Sequence, residues 1–270
     1  MNALVLGAEG QLGTELSRRL PGAAALIGAP IDDADVVDAI FADRVPEVVF
    51  NCAAYNAVDG AEAERELAFA SNERGPTVLA EAARRYGARL VHFSTNFVFD
   101  GALDRPYVEG DEPAPLSVYA ASKLAGERGV LATAPDALVI RTAALYGGPR
   151  GFPHRIVEQA LSSRPLRVVC DQRVNPTYAR DLADVAMKLA AAGVSGIVHA
   201  VNHGCCGWDE FARAVLAEAG IDRGVEPVAT GAYPAAARRP LNGCLASNRI
   251  EPLRPWREAL REALTPAADP

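Results

Sequence analysis

Lysine is nearly missing from this 270-residue chain: only Lys123 and Lys188 occur, so almost all of its positive charge is carried by arginine. With a formal net charge of −7 and no run of Lys/Arg beyond short pairs, the sequence offers no basic stripe for a phosphate backbone, and a nucleic-acid partner is excluded. No apolar stretch approaches the roughly 18 to 20 residues of a membrane span, and the opening MNALVLGAEGQLG has no basic leader; the expectation is a soluble, cytoplasmic protein without a membrane partner. The five cysteines (Cys52, Cys170, Cys205, Cys206, Cys244) and four histidines lack metal-ligand spacing, so no metal site is expected, and the cysteines read as reduced thiols with the adjacent Cys205–Cys206 pair poorly placed for a bridge.

What is abundant is apolar residue, half of the chain, enough for one large domain with a small lobe. Short apolar runs at 3–6, 47–54, 89–95 and 137–145 alternate with amphipathic stretches of helical period, and further runs at 166–170 and 196–201 read as additional strands. This alternation predicts an α/β fold: a Rossmann-type, doubly wound parallel sheet of six or seven strands. Residues 1–146, with elements from 166–202, are expected to form the dinucleotide-binding domain. Residues 147–165 and 203–270, helical and punctuated by proline, are expected to form a small C-terminal substrate-binding lobe.

Three features carry chemistry. First, Gly7-Ala8-Glu9-Gly10-Gln11-Leu12-Gly13 follows the first strand and opens the first helix, where glycines let the backbone approach a pyrophosphate and the helix N-terminus receives it. Asp32 and Asp33 stand near the distance of an acid for the adenosine ribose, but no acid sits cleanly at the end of a second strand, so NADH and NADPH both remain open. Second, Tyr119 and Lys123 are four residues apart and share one helix face; an ammonium beside a phenol is expected to lower its pKa from about 10 toward useful acid–base strength. Third, Thr95 ends a strand at the sheet edge where open α/β folds bind ligands. Arg238 and Arg239 could reach a substrate diphosphate from the small lobe. Arg141 reads as structural, His92 as a satisfied core histidine, and Trp208 and Trp256 as packing residues.

On GAEGQLG (7–13), PEVVFNCAAYNAVDGAE (46–62), HFSTNFVFDG (92–101), PLSVYAASKLAGE (115–127), VIRTAALYG (139–147), DQRVNPTYARDLA (171–183), ARRPLNG (237–243) and PWREAL (255–260), the chain resembles the dTDP-4-dehydrorhamnose reductase family of extended short-chain dehydrogenases. The resemblance implies that Gly7, Gly10, Gln11 and Leu12 hold cofactor phosphates, that Asp32 and Asp33 approach the ribose, and that Ala53, Ala54, Tyr55 and Asn56 line the cofactor further along. It implies hydride delivery from NADPH or NADH to the 4-keto group of a nucleotide-activated, dTDP-linked deoxysugar. In that reaction Tyr119 donates the proton, Lys123 tunes it and Thr95 assists, and both Tyr119 and Lys123 contact the nicotinamide riboside. A need for magnesium, and the choice between monomer and homodimer, stay open.

Two positions depart from the family pattern: Asn96 stands where an acid is usual, and Ala144 where a well-studied branch has tryptophan. Both imply a roomier, differently polar substrate pocket and a related 4-keto-6-deoxysugar in place of the rhamnose precursor. Nucleotide-sugar epimerases and 4,6-dehydratases share the glycine turn and the Tyr-Lys pair. Dehydratases typically follow the threonine with Asp-Glu, whereas Thr95 here is followed by Asn96 and Phe97. A non-catalytic regulatory subunit of methionine adenosyltransferase is the third alternative, disfavoured by the intact Thr95, Tyr119 and Lys123.

Overall fold

The computed structural model describes residues 2–148, 151–162 and 164–265; positions 149–150, 163 and 266–270 of the expected small lobe lie outside the described residues. Strands β1 (Ala3–Leu6), β2 (Ala24–Leu26), β3 (Val48–Asn51), β4 (Arg89–Thr95) and β5 (Leu138–Thr142) and an edge strand, Gly196–His199, make one six-stranded sheet. Its order is edge strand–β5–β4–β3–β1–β2, and every pairing is parallel.

Because both faces are covered, the strands alternate between two apolar layers instead of between core and water. Ala3, Val5, Phe50, Phe93 and Ile140 enter one layer, while Leu4, Leu6, Val49, Leu90 and Val139 enter the other. Helix α1 (Gln11–Arg19) packs on the first face together with Ala179–Ala191. Helices α2 (Ala34–Arg44), α3 (Arg65–Phe69), α4 (Gly75–Tyr86) and α5 (Val118–Thr133) complete the Rossmann half, with α2 and α4 on the second face.

Local signals set the ends of these helices. Asp33 caps α2 through hydrogen bonds from the Asp35 and Val36 amides, and Ser117 caps α5 through the Ala120 amide. Ser117 thereby fixes where α5 begins, and so which turn carries Tyr119.

The segment 166–170, expected in the main sheet, does not join it. Arg167–Val169 pairs in parallel with Glu226–Val228, and Leu166 and Val168 belong to a separate apolar cluster with Tyr146, Phe211, Val215 and Trp256. The sixth strand is instead β2, a three-residue, alanine-rich and partly exposed edge element within the short run 23–27. The cysteines also require a correction: Cys205 and Cys244 form a disulfide, with Cα atoms 6.0 Å apart across 39 residues of sequence, while Cys52, Cys170 and Cys206 are free. Adjacent Cys205 and Cys206 diverge, and tertiary folding supplies the real partner.

Candidate active site

The glycine turn lies at the point where neighbouring strands β2 and β3 leave β1 on opposite sides, the crevice in which doubly wound sheets hold ligands. Gly7 adopts φ +70°, and a Cβ there would lie 2.7 Å from the Ala53 amide nitrogen; a Cβ on Gly13 would lie 2.2 Å from the Gly7 carbonyl. The turn can therefore carry no side chains at those two positions, and its backbone is presented to the cavity beyond. Gly10 is the N-cap of α1 and has no side chain to satisfy the first-turn amides, which leaves that end suited to an anion.

A cavity of about 390 Å³ opens beside the turn. Gly10, Gln11, Leu12, Ala53, Ala54, Asn56, Thr95, Asn96, Tyr119, Lys123 and Ala144 all line it, so chain segments far apart in sequence converge on one space. Gln11 also spans the cavity edge, donating to the Leu145 carbonyl and accepting from the Gly148 amide. Tyr55 does not line the cavity: its hydroxyl donates to Glu64 at 2.6 Å. Asp33 is engaged as a helix cap and Asp32 pairs with Arg74 at 3.3 Å; neither lines this cavity.

Tyr119 is 8 % exposed, and burial pushes its hydroxyl up to about 12, against a smaller downward pull from its hydrogen bond with Thr95. The expected lowering by Lys123 is thus not what governs Tyr119. Desolvation of the phenolate is the largest influence, and the Lys123 ammonium donates instead to the Phe93 carbonyl at 2.7 Å. A buried phenol held neutral is a proton donor. Burial brings Lys123 down to about 8, opposed by the nearby Glu127 carboxylate.

The Thr95 hydroxyl accepts from the Phe97 amide at 3.1 Å and donates to Asn96 Oδ1 at 3.3 Å. Asn96 is 2 % exposed and donates through Nδ2 to the Gly243 carbonyl at 2.9 Å, tying the C-terminal segment to the end of β4. An acid at this position would have no proton for that carbonyl. Ala144 has φ +40°, in the left-handed region, and its small side chain borders the cavity.

Several contributors are absent from the sequence reading. Buried Asn72 accepts from the Tyr55 amide and donates to the Tyr55 carbonyl and to Ser122, clamping the 54–56 loop onto α5. A second cavity of about 410 Å³ is lined by Phe152, Arg155, Gln159, Arg167, Gln172, Tyr233 and Arg239. Trp208, expected to serve packing alone, lines both cavities and marks where they adjoin. Arg239 is present but held by Asp59 at 2.7 Å, which keeps the Asp59 carboxyl below its ordinary range, whereas Arg238 is exposed and outside both linings. His92 is buried but only half satisfied: Nδ1 meets Asn51 at 3.1 Å and Nε2 has no partner. Among the described residues no cluster of His, Cys, Asp or Glu is arranged to hold a metal ion, and no helix is long and apolar enough to cross a membrane.

A parallel six-stranded sheet with a glycine turn at its switch point and with Thr95 at the end of β4 beside Tyr119 and Lys123 of α5 defines the extended short-chain dehydrogenase/reductase class. Within that class, the chain belongs to the family described as the RmlD substrate binding domain, whose model matches residues 1–268. It is 42 % identical to a dTDP-4-dehydrorhamnose reductase of Mycobacterium tuberculosis H37Rv, over 98 % of this chain and 93 % of that protein. It is 41 % identical to a probable dTDP-4,6-dihydroxy-2-methyloxan-3-one 4-ketoreductase of Streptomyces antibioticus, over 97 % of this chain and 94 % of that one. A dTDP-4-dehydrorhamnose reductase of Bacillus anthracis, solved in complex with NADP, superposes with a TM-score of 0.93 at 33 % identity, covering 97 % of this chain and 98 % of that chain.

Proposed function

We propose that the protein is an NAD(P)H-dependent reductase of the 4-keto group of a dTDP-linked 4-keto-6-deoxysugar. The observation that carries this reading is the meeting of Thr95, Tyr119 and Lys123 on one wall of the cavity that the glycine turn opens into, next to a second cavity rich in arginine and aromatic side chains. Homologues of this chain bear the names of 4-keto-sugar reductases, which supports the same substrate class.

The residues present fit a dinucleotide. Gly7 and Gly13 admit no Cβ, and the first-turn amides of α1 face the cavity side; Gly10, Gln11 and Leu12 would take the phosphates, and Ala53, Ala54 and Asn56 the ring beyond. The nicotinamide, when bound, supplies the hydride. Tyr119, kept neutral by burial, donates the proton that the reduced carbonyl oxygen needs, and Thr95 offers a second hydroxyl at the same place. Lys123 holds positive charge beneath them. Arg155, Arg167 and Arg239 suit a nucleoside diphosphate, and Phe152, Trp208 and Tyr233 suit its base and sugar faces. Asn96 and Ala144 shape the sugar end, so the preferred sugar is a relative of dTDP-4-dehydrorhamnose. The protein works in the cytoplasm as a monomer or homodimer.

The test is oxidation of NADPH and NADH with enzymatically generated dTDP-4-keto-6-deoxyhexoses. Tyr119→Phe is expected to lower kcat by about 10²- to 10⁴-fold with cofactor affinity retained. Silence across the panel with intact cofactor binding would replace this reading with a regulatory, non-catalytic one. A strong preference for dTDP-4-dehydrorhamnose over all relatives would overturn the roles given to Asn96 and Ala144.

A further inference from the structure

One helical turn beyond Lys123, α5 carries Glu127, a carboxylate that is 1 % exposed. Arg141 on β5, itself 2 % exposed, donates to it through Nε at 2.9 Å and Nη2 at 2.6 Å, and Ser94 on β4 donates at 2.5 Å. Ser94 and Arg141 are register partners across β4 and β5, and the next pair along is Thr95 and Thr142. A single carboxylate therefore joins the strand end carrying Thr95 to the helix carrying Tyr119 and Lys123.

A plain structural pair would balance Arg141 alone, yet Lys123 is a second buried cation on the same helix face. The other buried carboxylates among the described residues, Glu15 and Asp209, pair with Arg18 and Arg19 and with Arg213. The groups that face this cluster from the surrounding elements are Cys52 after β3, His92 on β4, Tyr119 on α5 and His199 on the edge strand. Burial pushes the Cys52 thiol up and both histidines down, so all three are neutral near pH 7, and Glu127 is left as the anion for two cations. His199 reaches the Tyr107 and Ala246 carbonyls, and its amide donates to Glu109, whose carboxylate also holds Ser247 and Asn248.

We propose that Glu127 is a positioning residue for the reaction: it keeps Lys123 an ammonium and anchors the Tyr119–Lys123 turn of α5 against the Thr95 end of β4. Its catalytic consequence rests on the reductase reading, but the charge of Lys123 can be read without turnover. Lys188 is exposed and is the one other lysine, so a protein labelled with carbon-13 at lysine Cε gives two side-chain resonances, one of them an internal reference.

The experiment is a pH titration of that labelled protein as wild type, Glu127→Gln, Glu127→Asp and the double variant Glu127→Gln/Arg141→Met, followed by pH profiles of kcat. In Glu127→Gln, Lys123 is expected to lose its proton about tenfold more readily than in wild type, with Lys188 unmoved and Glu127→Asp in between. The alkaline limb of kcat should move by the same factor while KM for NADPH stays constant. The double variant, which removes the Arg141 guanidinium together with its carboxylate partner and so leaves Lys123 as the one buried cation of the cluster, carries the test if Glu127→Gln does not fold; Lys123 should there titrate between wild type and the single variant. Identical Lys123 titrations in wild type and either Gln variant, even with a lowered Tm, would overturn the proposal and leave a structural ion pair. Absence of keto-sugar turnover by the wild type, with Lys123 still responding to Glu127, would count against the reductase reading alone.

Discussion

At the scale of single residues, burial decides more than sequence neighbours do. Lys123 sits four positions from Tyr119, yet the phenol is governed by desolvation and held at about 12, while the lysine is brought to about 8. The working form of Lys123 is the ammonium, present below its pKa and lost as pH rises through it. The rate of keto-sugar reduction is therefore expected to fall above about pH 8. A pH profile of kcat whose alkaline limb begins near 10 would contradict this. Asn96 gives a second prediction. Because its amide donates to the buried Gly243 carbonyl, Asn96→Asp places carboxylate against carbonyl and should cost about 1–3 kcal/mol, read as a lower Tm at neutral pH. An unchanged Tm would mean that the segment around Gly243 is held by other contacts.

At the scale of elements, the turn between β1 and α1 depends on contacts that leave no room for a methyl group. Gly13→Ala would set a Cβ 2.2 Å from the Gly7 carbonyl, so the strand and helix must part. Overpacking of this kind costs about 1–3 kcal/mol, and NADPH affinity should fall by about tenfold or more in a fluorescence titration, with the rest of the fold intact by circular dichroism. Equal affinity would show that the turn can open without disturbing the phosphate site. Elements also mark where sequence patterns mislead. The run 166–170 has the composition of a central strand, but period and composition say nothing about which sheet a strand enters, and Arg167–Val169 pairs with Glu226–Val228 outside the main sheet. Strand β2 lies in the short apolar run 23–27, but its alanine-rich composition does not favour a strand over a helix.

At the scale of the whole molecule, two adjoining cavities share Trp208, and segments 152–172 and 208–239 supply most of the second one. Arg239 is held against that cavity by Asp59, a residue far earlier in the chain, so one ion pair at the cavity wall joins the segment after β3 to the C-terminal region. Replacing Arg239 with alanine is expected to raise KM for the nucleotide sugar by about 10- to 100-fold with kcat little changed, since a charge-assisted contact to an anion is worth about 1.5–3 kcal/mol. Steady-state kinetics at fixed NADPH measure this, and an unchanged KM would place the diphosphate elsewhere.

The sequence by itself determined the parts of the protein whose geometry is local. A glycine turn is legible because its spacing is set within one strand-to-helix connection. Tyr119 and Lys123 are legible because four residues make one helical turn, and Thr95 because a strand end fixes its place at the sheet edge. Only the tertiary structure decided what reaches those residues from elsewhere: the Glu127–Arg141 pair, the Asn72 clamp, the Cys205–Cys244 bridge and the second cavity built from Phe152, Trp208 and scattered arginines. Each of these joins segments far apart in the chain. Distance along a sequence carries no record of closeness in space, whereas the periods of helix and strand are carried by every residue.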